Sequence, residues 1–352
     1  MKKITAIIAA LIMAAVCLSA CGSENAPADE TAAAESAQAA EENAAGDSLH
    51  IVTTIFPEYD WVMNILGEKA ADAEVTMLLD SGVDLHSYQP TADDILKIAS
   101  CDVFIYVGGE SDEWVEDALK EATNKEMVVV NLLETLGDSA KEEEVVEGMQ
   151  AEEEHDHDDD EEHDEGEEHE EEGPEYDEHV WLSLKNAAAL VNSIAGSISA
   201  ADETNADTYK ANVEAYIEKI NALDAKYAEA ISAGSVKTLL FGDRFPFRYM
   251  TDDYGLDYYA AFVGCSAETE ASFETVAFLA QKVDELGLHT VMTIEGTDHR
   301  IAETIVQSTQ TKDQQILSLN SMQSTTSKDV SAGSTYLSIM ENNLEVLKEA
   351  LK

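Results

Sequence analysis

The chain has 352 residues and a formal net charge of −53, from 73 acidic against 20 basic side chains. So large a negative excess excludes nucleic acid and anionic headgroups as partners, since both are bound by clusters of lysine and arginine. Cations are the natural partners, and the length past the N-terminal leader accommodates two domains of ordinary size.

Met1-Lys2-Lys3 precedes an almost wholly apolar run from Ile4 to Val16, and then Leu18-Ser19-Ala20-Cys21. A positive start, a short apolar stretch and small residues before a cut describe a secretory signal over 1–20, too short for a spanning helix. A cysteine after Leu-Ser-Ala resembles the bacterial lipobox, which implies that Cys21 is the lipidated first residue of the mature chain. The expected location is therefore extracytoplasmic, on the outer face of the bacterial cell membrane. Residues 21–47 are rich in Ala, Glu, Ser and Asn without apolar periodicity, and read as a flexible tether.

From residue 48, strands and helices alternate. Leu49 to Ile55 reads as a β-branched strand, Phe56-Pro57 opens a helix to about Gly67, and a strand covers Ala73 to Leu79. A loop through Pro90, a helix from Ala92 to Ala99, a strand from Asp102 to Val107, a helix from Glu113 to Ala122 and a strand from Met127 to Val130 follow. Such alternation predicts a doubly wound parallel sheet, which binds ligands at the carboxyl ends of its strands.

Lys141 to Glu178 is Glu and Asp with His155, His157, His163 and His169 inserted. Like charges repel and oppose packing, so this stretch is expected to be a disordered surface loop. Solubility needs no histidine, whereas imidazole beside carboxylate makes labile sites for zinc, nickel or copper.

Beyond the loop, apolar residues at Val213, Tyr216, Ile217, Ile220, Leu223 and Tyr227 recur at spacings of three and four, marking a long amphipathic helix over 203–233. Alternation then resumes: strand Val236 to Phe241, helix near Pro246 to Tyr254, strand Leu256 to Val263, helix Ser272 to Leu286, strand Thr290 to Ile294, helix Ile301 to Thr309, strand Gln315 to Leu317 and helix Tyr336 to Leu351. The expected fold is α/β, with two lobes, each a mainly parallel sheet flanked by helices, joined by a long linking helix. The lobes are 48–202 and 234–352, and the cleft between them is the expected site. Cys101 and Cys265 fall in different lobes and are expected to be free, buried thiols.

Two histidines stand out by position. His86 lies in Val83-Asp84-Leu85-His86-Ser87-Tyr88-Gln89-Pro90, after a strand and before a helix. His179 lies in Asp177-Glu178-His179-Val180-Trp181-Leu182-Ser183, where the acidic loop rejoins the fold. Both sit at the rim where ligands collect, and neutral imidazole is the commonest protein ligand for zinc.

These two segments closely resemble the metal-binding receptor lipoproteins of zinc and manganese ABC importers, the cluster A-I family, whose motifs run Asp/Ser-x-His-x-Tyr-x-Pro and Asp-Pro-His-x-Trp-Leu-Ser. The lipobox, the acidic histidine loop between the motifs, the linking helix and the two lobes match as well. The resemblance implies capture of a divalent metal and delivery to an importer permease, by a monomer held to the membrane through the Cys21 lipid. It implies a third histidine in a Phe-His-Asp sequence, but here Phe241-Gly242-Asp243-Arg244 places glycine there. Asp243 then either serves as an oxygen ligand or pairs with Arg244, whose positive charge disfavours a cation nearby. The family's last ligand, an acid after the third strand of the second lobe, corresponds to Glu295, with Asp298 and His299 within reach; Asp298 is alternatively a helix cap. Glu268 and Glu270 match an acidic turn of the family and are ordinarily helix-initiating acids. His50 and His289 lack neighbouring ligand types and read as surface residues.

The leading expectation is capture of zinc, with manganese as the alternative, by His86, His179 and Glu295, with the fourth position taken by Asp243, water or a loop histidine. Binding should weaken below about pH 6, because imidazole must be neutral to ligate. A competing expectation is a surface metal-buffering or adhesion lipoprotein that holds metal in its acidic loop. No His-Glu-x-x-His helix and no Gly-x-Ser-x-Gly elbow is present, so an enzyme is not expected.

Overall fold

The computed structural model describes residues 48–150, 175–266 and 270–352. Two four-stranded sheets dominate, ordered β2-β1-β3-β4 and β6-β5-β7-β8. Every strand pairing is parallel, so both faces of each sheet are available to helices. The orders are the same permutation, each reversing beside the lobe's first strand, where an open α/β sheet leaves a crevice at its carboxyl edge.

In the first lobe β1 (Leu49–Thr53), β2 (Ala73–Met77), β3 (Val103–Tyr106) and β4 (Val128–Asn131) carry the sheet. Helix α1 (Phe56–Leu66) begins with Pro57 in its first turn, where a missing N–H costs nothing, and buries Trp61, Val62 and Ile65. Helix α2 (Ala92–Ser100) starts at a capping box: the Thr91 hydroxyl accepts from the Asp94 N–H, and the Asp94 carboxylate accepts from the Thr91 N–H. Short helices α3 (Trp114–Lys120) and α4 (Leu132–Leu136) complete this side.

Helix α5 (Leu184–Ala201) is capped by Ser183, whose hydroxyl accepts from the Asn186 N–H. A tight turn at Glu203–Asn205 separates it from α6 (Ala206–Ala233), 28 residues and about 42 Å long. The predicted stripe of α6 is the buried face: Tyr209, Val213, Tyr216, Ile220, Leu223, Tyr227 and Ile231. It packs on α1, α5, the helix Arg248–Tyr254 and the closing helix, so one apolar core runs from the first sheet through α6 to the C-terminus. No helix among the described residues is long and apolar enough to cross a membrane.

The second lobe holds β5 (Thr238–Phe245), α7 (Arg248–Tyr254), β6 (Asp257–Val263), α8 (Phe273–Leu286), β7 (Thr290–Ile294), α9 (Arg300–Ser308), β8 (Gln315–Leu319), α10 (Ser327–Ser331) and α11 (Tyr336–Ala350). Strand β5 runs four residues past its expected end, with a register shift against β6 between Phe241 and Arg244. That irregularity contains Gly242 and Asp243.

Residues 141–150 and 175–178, the two ends of the stretch expected to be disordered, have defined structure. Glu142 and Tyr176 form an antiparallel bridge, and the Glu143 and Asp177 N–H groups donate to the Glu175 and Lys141 carbonyls. Tyr249 ties the strands down, accepting from the Lys141 N–H and donating its hydroxyl proton to the Asp177 carbonyl. Charge repulsion is overcome here because the backbone groups are paired and Asp177 and Glu178 face imidazoles. His155, His157, His163, His169, Cys21 and Glu268 lie outside the described residues.

Candidate metal centre

The cleft residues come from the ends of strands and from the segment that rejoins the fold before α5. Asp84 caps the turn Leu85–Ser87 after β2, its carboxylate accepting from the His86 N–H at 3.1 Å. Tyr88, two residues on, donates to Asp94 of α2, which fixes the loop behind the imidazole. His179 opens the turn Val180–Leu182, held across the cleft by the Trp181 indole N–H donating to the Ser321 carbonyl and by Tyr336 donating to the Trp181 carbonyl. His179 and Trp181 are fully buried.

The imidazoles meet. His86 Nε2 and His179 Nε2 lie 3.2 Å apart. His179 Nδ1 is 2.9 Å from Asp177 Oδ1, while His86 Nδ1 is 2.8 Å from Ser111 Oγ and 3.3 Å from Glu178 Oε2. A carboxylate behind each Nδ1 favours the Nδ1–H tautomer and leaves both Nε2 lone pairs converging on one point. Ligands about 2.0–2.1 Å from a tetrahedral ion stand about 3.3 Å from each other, close to the separation present. The Gln323 amide nitrogen sits 2.9 Å from His86 Nε2 and 2.7 Å from His179 Nε2, and its two hydrogens serve the two lone pairs.

Charge makes the same point. Asp177 and Glu178 are almost completely buried, and no lysine or arginine pairs with either among the described residues. Two buried carboxylates need compensation, and two imidazolium rings cannot share a 3.2 Å contact. A cation between the rings satisfies both demands. Outside lies a cleft of about 700 Å³ whose walls include Glu110, Glu142, Glu143, Glu175 and Glu178. A hydrogen bond with Glu175, together with burial, pushes the Glu110 carboxyl up, as expected where acids crowd without a counter-ion.

The structure does not bring Glu295 or Asp243 to the imidazoles. Glu295 follows β7 as expected, but its Oε2 accepts from the Ser321 N–H at 2.7 Å and its Oε1 from the Ser321 hydroxyl at 2.8 Å. It reaches the site through Ser321, whose hydroxyl also lies 3.2 Å from Gln323 Oε1. Burial pushes the Glu295 carboxyl up, opposed by the bonds from Ser321. Asp243 accepts from the Ile294 N–H and the Thr297 hydroxyl, closing the loop after β7. Asp243 does not pair with the Arg244 side chain, which reaches the first lobe and bonds Asp84 at 2.6 Å; from Arg244 it accepts the backbone N–H. Neutralised by Asp84, the guanidinium presents little repulsion to a cation.

Asp298 accepts from the Arg300 N–H at the start of α9, one residue before the N-cap position held by His299, and pairs with the Arg300 side chain. His299 contacts Thr297, His50 pairs at the surface with Glu74, and Glu270 is exposed. What the sequence reading missed is Asp177, Glu178, Gln323 and Cys265. Cys101 and Cys265 are both free, but Cys265 offers its Sγ within 4.8 Å of ligand atoms of both His86 and His179. Burial, and then the carboxylates of Glu178, Glu143 and Asp177, push the Cys265 thiol well up. Its place just after β6, on the carboxyl edge, is the signal that marks it.

Residues 51–350 match the model of the family described as zinc-uptake complex component A, periplasmic. The chain belongs to that family. The zinc-uptake complex component A family is one of solute-binding receptors and not of enzymes. Among relatives, the zinc-binding protein AdcA of Streptococcus pyogenes serotype M3 is 30% identical over 302 residues, covering 85% of this chain and 55% of its own. The high-affinity zinc uptake system protein ZnuA of Bacillus subtilis is 31% identical over 306 residues, covering 87% and 88%. Among solved structures, the Zn(II)-bound ZnuA-like domain of Streptococcus pneumoniae AdcA superposes with a TM-score of 0.65 at 29% identity, covering 86% of this chain and 99% of that one. The chain thus spans about half the length of the streptococcal AdcA relatives it matches.

Proposed function

We propose that this chain captures zinc outside the cytoplasmic membrane and delivers it to the permease of an ABC importer. The observation that carries the reading is the convergence of His86 and His179 Nε2 at 3.2 Å, with buried Asp177 and Glu178 behind them and no lysine or arginine paired with either carboxylate among the described residues. The ion takes the place now filled by the Gln323 amide, with both imidazoles as ligands. The carboxylates orient the rings, and the acidic cleft concentrates cations at the mouth. The names of the relatives favour zinc over manganese, and a receptor over surface buffering or adhesion.

In the same reading, 1–20 is a removed leader, Cys21 carries the lipid, 21–47 is the tether and the mature receptor works as a monomer. The two sheets act as lobes around one ion, with α6 as the link.

Competition of the purified chain against a zinc chelator tests this reading. It predicts one tight site per chain that survives removal of residues 151–174 and is lost in His86→Ala and His179→Ala. Tight binding that persists in both histidine variants and disappears with 151–174 overturns it in favour of a surface buffer.

A further inference from the structure

The site as described has two imidazoles and lacks a ligand from the second lobe. Gly242 stands where the resembled family has its third histidine, and its surroundings leave no room for a side chain. A Cβ there would lie 2.6 Å from the Ala302 Cα and 2.8 Å from the Ala302 nitrogen, because the first turn of α9 packs directly onto β5. Asp243 and Glu295 are both committed to other donors. The ligand has to come from another strand end.

Strand β6 supplies one. At Gly264 the chain passes so close to the His179 ring that a Cβ would meet its Cε1 at 2.9 Å and its Nδ1 at 3.0 Å. Only glycine permits that approach, and it sets the next residue, Cys265, against the imidazole pair. The loop is held from the other side as well, since the Cys265 N–H donates to Glu143 Oε1 at 3.0 Å. Among the described residues, His86, His179 and Cys265 form the single group of potential ligands within 4.8 Å of one another.

We infer that Cys265 Sγ is the second-lobe ligand of the zinc ion, replacing the histidine that Gly242 cannot supply. The inference rests on the zinc-receptor reading above and adds the donor that closes the site. Nitrogen and sulfur ligands of a tetrahedral zinc stand about 3.6 Å apart, a separation that falls inside the 4.8 Å within which the ligand atoms of the three residues lie. As the Zn–Sγ bond forms, the thiol S–H bond breaks and its proton leaves to solvent. A fourth position remains for an oxygen donor. Two imidazoles and a thiolate form a borderline-soft set that suits zinc and rejects manganese, which prefers carboxylate and water. The thiol is therefore a specificity-determining residue for the cargo.

X-ray absorption at the zinc edge, on the full mature chain loaded with a single equivalent of zinc, tests it. The expected result is one sulfur scatterer at about 2.3 Å together with nitrogen at about 2.0–2.1 Å. The sulfur signal should persist in Cys101→Ala and vanish in Cys265→Ser, whose zinc affinity falls at least about tenfold while its preference for zinc over manganese narrows. Tight zinc binding by the unaltered chain with only nitrogen and oxygen neighbours overturns the Cys265 assignment and leaves the receptor reading standing. Failure of the unaltered chain to bind zinc tightly removes both.

Discussion

The Arg244 guanidinium bonds the Asp84 carboxylate at 2.6 Å, joining β5 of the second lobe to the turn that carries His86. Burial pushes the Asp84 carboxyl up, but the hydrogen bond and charge of Arg244, helped by His86, more than offset it and hold it below the usual aspartate range. A depressed carboxyl contributes stability above its unfolded value and loses it as pH falls through the folded one. Arg244→Ala should therefore lower unfolding free energy by about 1–2 kcal/mol at pH 7, with the gap to the parent chain closing in acid. Urea titrations across pH measure it; a gap independent of pH contradicts the pairing.

Asp177 and Glu178 each stand behind one imidazole. Asp177→Asn and Glu178→Gln keep shape and remove charge, and each should weaken zinc binding about 10–100-fold, the size seen when the partner of a ligating histidine is lost. Chelator competition reads this directly. Unchanged affinity in both variants shows that the carboxylates serve the loop alone.

Gly242 makes a prediction about packing. Alanine there overlaps the Ala302 backbone, so Gly242→Ala should destabilise by about 1–3 kcal/mol. Gly242→His should fail to recreate the missing ligand, and thermal melts of both variants check the claim. A stable histidine variant that binds zinc more tightly than the parent contradicts the placement of α9.

Much of this was legible in the sequence. Apolar, β-branched runs mark the eight described strands, because a sheet covered on both faces buries nearly every residue, and a spacing of three and four marks the stripe of α6. His86 and His179 were legible because each follows a strand or loop edge in a distinctive segment. Asp177 and Glu178 were not, since in sequence they are two more acids in an acidic run, and only the Tyr249 anchor and the imidazoles single them out. Glu295 was correctly placed after β7, but Ser321, 26 residues away, takes its oxygens. Cys265 read as a core thiol because the close approach of Gly264 to His179 is a fact of tertiary packing.

Asp60 offers a pH test independent of metal. It is buried beneath α6, accepts from the Tyr216 hydroxyl, and burial pushes it up to about 6, with the Tyr216 bond opposing. A raised folded value means the native state binds the proton more tightly, so stability falls as pH rises from about 4 to about 6. That difference is worth roughly 2–3 kcal/mol. Asp60→Asn removes the dependence and should be more stable than the parent chain at pH 7 but not at pH 4. Denaturation at the two pH values decides, and a variant less stable at pH 7 contradicts the assignment.

The most direct measurement is an anomalous difference map, collected at the zinc edge, from crystals of the chain grown with zinc. A single strong peak is predicted about 2.0–2.1 Å from both His86 Nε2 and His179 Nε2, where the Gln323 amide now sits. A map with its zinc peak only on surface carboxylates, and none between the two imidazoles, would contradict capture in this cleft.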